Sequence, residues 1–330
     1  MEDLKEKSYS EITIEELKAS AQKGDAIAQH NLAVCYERGD GVEQNDQEAF
    51  EWFAKAAVQG VARSQFELGD CFALGIGVEM DDVEAVKWYS RAAEQGDPNA
   101  QCRLAEHYDL GCGVEKDMGK SFEWFKRAAE QGHEEAQYNL AVCYENGDGV
   151  KKDLQMAIEW YTKSAEQGFG PAEYNLALCY NEGCGVEINH VKAFELFKSA
   201  TDHGVELAYN NLGECYERGE GVKEDLMEAV SCYKLGADYG DAGAQFSLAL
   251  CYHFGRGVDV DPVKAIEWYT KAANQGHAMA QNNLGECYKD GFGVQKDLEK
   301  AVKWFKMASE QGDEETQKTL SSLDPSPVSQ

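Results

Sequence analysis

Residues 133 to 168 read HEEAQYNLAVCYENGDGVKKDLQMAIEWYTKSAEQG, and the architecture follows from this stretch. Ala136, Leu140, Cys143 and Tyr144 fall at i, i+4, i+7 and i+8, which is one apolar face of a helix. After a turn at Gly147 and Gly149, Asp153 is placed to cap a second helix. There Ala157, Trp160, Tyr161, Ser164 and Ala165 again recur at helical spacing, and Gly168 supplies a left-handed stop.

The same pattern extends in both directions. Gly60, Gly96, Gly132, Gly168, Gly204, Gly240, Gly276 and Gly312 recur every 36 residues without an insertion, and each unit holds a Gly-x-Gly-Val, from Gly39, Gly41 and Val42 to Gly291, Gly293 and Val294. Asn45, Asp81, Asp117, Asp153, Asn189, Asp225, Asp261 and Asp297 share the capping position, and Pro262 follows one of them where a missing N–H costs nothing. Two helices of about a dozen residues cannot bury their apolar faces alone, whereas stacked pairs form a continuous core. The expected fold is therefore all-α: a right-handed α-α superhelix, or solenoid, of eight 36-residue helix pairs over residues 25–312. Half-repeats at 11–24 and 313–322 read as capping helices, and 1–10 and 323–330 as disordered ends.

Side-chain size agrees with stacking. Small residues recur at Ala49, Ala85, Ser121, Ala157, Ala193, Ala229, Ala265 and Ala301, and Leu32, Leu68, Leu104, Leu140, Leu176, Leu212, Leu248 and Leu284 occupy the first helix. Trp52, Trp88, Trp124, Trp160, Trp268 and Trp304 share one position, where they are expected to fill the gaps between layers. Glu51 with Lys55, Glu123 with Arg127, Glu159 with Lys163 and Glu267 with Lys271 read as i,i+4 ion pairs on a solvated face.

The unit A-Q-x-x-L-A-x-C-Y-E-x-G-x-G-V-x-x-D-x-x-x-A-x-x-W-Y-x-K-A-A-x-Q-G resembles the Sel-1-like repeat, a relative of the tetratricopeptide repeat. Tetratricopeptide units are typically about 34 residues long with Trp early in the first helix; here the Trp is in the second helix and the glycine loop is extra. The resemblance implies a non-enzymatic scaffold or adaptor that binds protein partners. It also implies two alternatives: a β-lactam-binding or hydrolysing enzyme, by analogy with cysteine-rich relatives, and a secreted effector with the same binding chemistry. The cysteine-rich relatives pair two Cys per unit, whereas most units here have one.

Cys35, Cys71, Cys143, Cys179, Cys215, Cys251 and Cys287 occupy one inward position of the first helix. Neighbours in that row sit about 9 to 10 Å apart, too far for a disulfide or a shared zinc, so they read as buried thiols. Cys215 and Cys232, on facing helices of one unit, are the one candidate redox pair. No Cys-x-x-Cys, His-x-x-x-His or nucleophile motif is present, and no metal or cofactor is expected.

A stripe between core and solvent on the first helix is the expected binding surface. It carries Asn31, Asn139, Asn175, Asn211 and Asn283 with acidic Asp70, Glu106, Glu214 and Glu286, interleaved with apolar residues such as Val142, Leu110 and Phe254. An Asn row can bond an extended peptide backbone through both its C=O and its NH2, or can bond within the helix pair. With 31 Lys and Arg against 60 Asp and Glu, a net charge of −29 excludes nucleic acid and anionic membranes as partners and favours a basic or amphipathic peptide or protein. The amino terminus MEDLKEKSYS has no apolar run, so a cytoplasmic, monomeric protein is expected. Coupling between nearest neighbours alone predicts that deleting one period, residues 133 to 168, leaves a cooperatively melting helical protein; circular dichroism would show loss of helix if the repeat logic were wrong.

Overall fold

The computed structural model describes residues 13–312 together with 317, 319 and 320. The expected disordered ends at 1–10 and 323–330, and most of the expected cap at 313–322, lie outside the described residues. Among the described residues there are seventeen helices and no strand. The amino-terminal cap is α1 (Ile14–Gln22), and the helix pairs run from α2 (Ala26–Arg38) with α3 (Asp46–Val58) to α16 (Ala278–Asp290) with α17 (Leu298–Ser309). The chain divides into two compact units, Met1–Gln167 and Gly168–Gln330. Within each, the helices of a repeat pack on each other, and each second helix packs on the first helix of the next repeat, a helical solenoid-like repeat fold.

Local chemistry explains the helix boundaries. All eight expected second-helix caps accept a backbone N–H into the side chain, as when Asp81 accepts from Val83 and Glu84. The first glycine of each loop ends the first helix in the left-handed region, as Gly111 does at φ 76°. The second glycine has another duty. A Cβ on Gly113, itself at φ 67°, would overlap the carbonyl of Asp82 at the start of the preceding repeat's second helix, so the loop docks only if that position has no side chain.

The leucine and small-residue rows are buried as expected, and all eleven cysteines are free. Burial pushes Cys71, Cys143, Cys251 and Cys287 up to about 12, Cys215 to about 11 and Cys232 to about 12, so these sulfurs are protonated and inert at neutral pH.

Two expectations are corrected. The tryptophan row fills the gaps between layers only from their rim: of the six, Trp160 alone is buried, and the others are half-buried, with Trp52 and Trp268 each packed against two successive core clusters. The buried ring is the residue after this position in all eight repeats, after Leu196 and Cys232 as well as after the six Trp: Phe53, Tyr89, Phe125, Tyr161, Phe197, Tyr233, Tyr269 and Phe305. Flanked on its own helix by the small residues four before and three after it, the ring presses on a small residue of the first helix: a Cβ on Gly69, Gly213 or Gly285 would lie 2.5, 2.5 or 2.7 Å from Tyr89, Tyr233 or Phe305. Nor do the expected i,i+4 glutamates hold the cations. Lys55, Arg91, Arg127, Lys163 and Lys271 lie 3.6 to 4.5 Å from the ring centroid of the Trp three residues earlier, so ring and cation cover one another at the rim. Where the Trp position holds Leu196 or Cys232, the cation position holds Ser199 or Leu235.

A ladder of side-chain amides joins successive repeats. Gln65 donates to the Ala57 carbonyl at 3.0 Å and accepts from Gln95 at 2.7 Å. Gln29 with Gln59, Gln101 with Gln131, Gln137 with Gln167, Gln245 with Gln275 and Gln281 with Gln311 repeat the arrangement. Two repeats vary it with both partners changed. Glu173 accepts from Ser199 at 2.7 Å and from His203 at 2.8 Å, and Tyr209 stacks on Tyr239 at 5.9 Å. Gly236, in place of the usual Ala or Ser, has no Cβ to overlap Ala244, 2.8 Å away, or to press on Tyr209 at 3.3 Å.

His203 carries a pH dependence. Its hydrogen bond to Glu173, then the charge of that carboxylate, raises its pKa above the ordinary 6.5. A histidine with a raised folded-state pKa stabilises the fold fully below the unfolded pKa and loses that contribution as pH rises through the folded one. Thermal melts should therefore show the parent losing stability above about pH 6.5 relative to His203→Gln, which keeps an N–H donor to Glu173. Parallel curves for the two proteins would show that folding does not raise the affinity of the imidazole for its proton.

Candidate functional site

The first helices leave one stripe uncovered, and it forms clefts in repeat register. In the first unit a cleft of about 270 Å³ lies between α6 (Pro98–Leu110) and α8 (Glu134–Asn146), with Glu106, Asp109, Glu135, Asn139 and Val142 on its walls and Phe125 at its floor. In the second unit a cleft of about 670 Å³ lies between α12 (Ala208–Arg218) and α14 (Ala242–Phe254). Its Glu214, Glu217, Ser247 and Leu250, over Tyr233, stand three 36-residue periods after Glu106, Asp109, Asn139 and Val142, over Phe125. The repeat thus produces the same cleft twice.

The expected binding residues distribute unevenly over these clefts. Glu106 and Asn139 line the smaller and Glu214 the larger; Asn31, Asn175, Asn211, Asn283, Asp70 and Glu286 line neither. All five Asn are half-buried. Asn211 accepts from the Tyr174 hydroxyl and Asn283 donates to the Tyr269 hydroxyl, both at 3.4 Å, so the row is partly engaged within the protein. Sequence reading missed Glu67 and Arg103, which occupy the Asn position in two repeats, and Asn210, Phe246, Arg256 and Met279, which complete the larger cleft. Writing out every repeat at the Asn position would have exposed the first two.

Hydroxyls of the buried tyrosine row emerge at the stripe and donate to its carboxylates: Tyr89 to Asp70 and Tyr161 to Glu145 at 2.5 Å, Tyr233 to Glu217 at 2.7 Å. Burial raises the pKa of Asp70 and Glu106 and pushes Glu67 up to about 7, with Glu37 and Asp70 adding repulsion. Partial neutralisation is built in. Arg103 bonds Glu106 at 2.9 Å, Arg256 bonds Glu217 at 2.9 Å, and Lys289 pairs with Glu286. Apolar surface borders the carboxylates: Leu74, Leu110 and Phe254, at one repeat position, are 65%, 70% and 56% exposed. The stripe offers hydrogen bonds, negative charge and apolar contact along successive helices, and among the described residues no helix is long and apolar enough to cross a membrane.

The Sel1 repeat model matches residues 26–61, 62–97, 98–133, 134–169, 170–205, 207–241, 242–277 and 278–313. The chain belongs to the Sel1 repeat family. Among solved structures, this Sel1 repeat protein is similar to a protective antigen present in uropathogenic Escherichia coli strains displaying an SLR fold, at 36% identity and TM-score 0.85 over 94% of this chain and 67% of the antigen's. It is also similar to a Sel1 repeat protein from Oxalobacter formigenes, at 33% identity and TM-score 0.68, over 94% of this chain and 90% of that one. No curated protein matches it. Sel1 repeat proteins generally act as protein-interaction scaffolds, and their fold is typically non-enzymatic.

Glu67 offers a direct test of stripe electrostatics. Its folded-state pKa lies above the ordinary 4.5, so the folded protein holds the proton more tightly and loses stability as pH rises from about 4.5 to about 7. Glu67→Asn, which installs the residue of the neighbouring repeats, should stabilise the protein at pH 8. A gain of roughly 1 to 2 kcal/mol is expected once the side chain's partial exposure is allowed for, with no difference near pH 4. Urea melts at the two pH values measure it, and a destabilised variant at pH 8 would contradict the desolvated carboxylate.

Proposed function

We propose that this Sel1 repeat protein is a non-enzymatic scaffold that holds a basic or amphipathic polypeptide segment along the first-helix stripe. The observation that carries the reading is the cleft repeated in register, Glu106, Asp109 and Val142 in one unit and Glu214, Glu217 and Leu250 in the other. A ligand with Lys or Arg interleaved with bulky apolar side chains would satisfy the carboxylates of a unit and cover its apolar residues, Leu74 and Leu110 in the first unit or Phe254 in the second, while the half-buried Asn amides bond its main chain. Cations on the ligand would exchange with Arg103 and Arg256, which already hold those carboxylates as intramolecular substitutes. The protonated cysteine row suits a reducing, cytoplasmic setting, and one chain supplies both clefts, so a monomer suffices.

Affinity capture with the full chain, followed by binding measurements on the segment recovered, tests this. Association should slow as salt rises while dissociation changes little, since exposed carboxylates steer the encounter. Replacing Asn139, Asn175 and Asn211 together by Ala should weaken binding by about 1 kcal/mol per lost bond while the protein stays folded with a small loss of stability, since Asn211 also accepts from the Tyr174 hydroxyl. A triple variant that unfolds makes the row structural; one that binds as the parent does moves the site elsewhere.

A further inference from the structure

The first unit holds a side-chain cluster that the repeat pattern does not account for. Cys102 Sγ, a ring nitrogen of His133 and a carboxylate oxygen of Glu135 lie within 4.8 Å of one another. Glu106 adds a fourth donor, its Oε1 4.0 Å from Cys102 Sγ. Cys102 is 1% exposed on α6, while His133 and Glu135 stand at the start of α8, and Glu106 and Glu135 open onto the smaller cleft. We propose that Cys102, His133 and Glu135, with Glu106 beside them, form a binding site for a divalent transition metal ion of the zinc class.

The donor chemistry selects the ion. Thiolate, imidazole and carboxylate together suit Zn²⁺ or Co²⁺ and not Ca²⁺ or Mg²⁺, which take oxygen ligands. Metal–ligand distances of about 2.0 to 2.3 Å require the three donor atoms to draw together by about 1 Å, within reach of side-chain rotation. The repeat supplies an internal control. His277 caps its helix as His133 does, each accepting an Ala N–H at 3.2 Å through Nδ1, so the histidine alone is accounted for as a cap. Around His277, however, the positions of Cys102, Glu106 and Glu135 are Phe246, Leu250 and Met279, and no donor set forms. At the position of Cys102 the other repeats carry His, Phe, Tyr or Asn, so a thiol there is peculiar to this place.

Binding has identifiable costs. Burial and the carboxylates Glu106 and Glu135 raise the Cys102 pKa, so the thiol starts protonated and one proton leaves it for solvent as the metal–sulfur bond forms. His133 gives up either its Ala136 contact or its bond to Asn99 Oδ1 at 3.0 Å. Arg103 yields its longer contact, 3.7 Å to Glu135, while keeping Glu106 at 2.9 Å until the ion also takes that carboxylate. Arg103 thus occupies the cluster's charge in the ion's place.

The test is a Co²⁺ titration of the full-length reduced protein, read by thiolate-to-cobalt charge-transfer absorption, then Zn²⁺ competition against a chromophoric chelator. The expected result is saturation at one ion per chain with affinity rising about tenfold per pH unit below the thiol pKa. Cys102→Ala should abolish the absorption. His133→Asn, which keeps a good helix cap, should weaken binding at least tenfold, the least that even outer-shell changes cost. His277→Asn should bind as the parent does, and circular dichroism without metal should show all variants folded. No charge-transfer band in the parent, or one that survives in Cys102→Ala or at full affinity in His133→Asn, overturns the proposal. It stands or falls independently of the polypeptide-binding reading.

Discussion

The fold depends on a buried amide shared between repeats. In six of the eight pairs a glutamine on the first helix bonds backward to an alanine carbonyl eight residues earlier and forward to a glutamine thirty residues later. A buried amide left without partners costs about 1 to 3 kcal/mol, more than the bond contributes when made, so neither glutamine can change alone. The two exceptions obey this rule. Glu173 arrives with His203 and Ser199, and Tyr209 arrives with Tyr239 and with Gly236 to clear space. Gln317, bonded to the Ser309 carbonyl at 3.4 Å, continues the ladder past the last full repeat.

With helix spacing held by the ladder and by the bare second glycine of the loops at Gly77, Gly113, Gly149, Gly221, Gly257 and Gly293, the rest of the repeat can vary on its outer stripe without loss of register. The leucine and small-residue rows scarcely change along the chain, whereas the stripe holds Asn, Glu, Arg and Ser at one position and Val, Asp, Glu and Leu at another. Two faces of the same helix thereby differ, the core face nearly uniform along the chain and the stripe varied. The tyrosine row links them, since Tyr89, Tyr161 and Tyr233 have rings in the core and hydroxyls that orient Asp70, Glu145 and Glu217 at the surface.

Charge has a comparable division. The net charge is −29, yet the stripe is not uniformly acidic, because Arg103, Arg218 and Arg256 stand among its carboxylates. Desolvation makes Glu67, Asp70 and Glu106 poor bare anions, and Arg103 is held close to Glu106. The Cys102, His133 and Glu135 cluster is the extreme case, where a thiol and an imidazole join the carboxylates at the edge of a cleft.

The sequence by itself determined the period, the helix pairs, the caps at Asp81 or Asp225, the glycine stops and the isolation of the cysteine row. Each rests on contacts within a few residues, repeated eight times, so local spacing is enough to read them. It did not determine which of two adjacent aromatics enters the core. Neighbouring residues on a helix point about 100° apart, and the apolar stripe is wide enough to admit both Trp88 and Tyr89 until packing sets the helix rotation. Nor could it show that Lys55 turns to Trp52, that Gln65 meets Gln95, or that Cys102 and His133 converge from different repeats. Those partners are set by the distance and rotation between stacked helices, which only close packing in three dimensions decides.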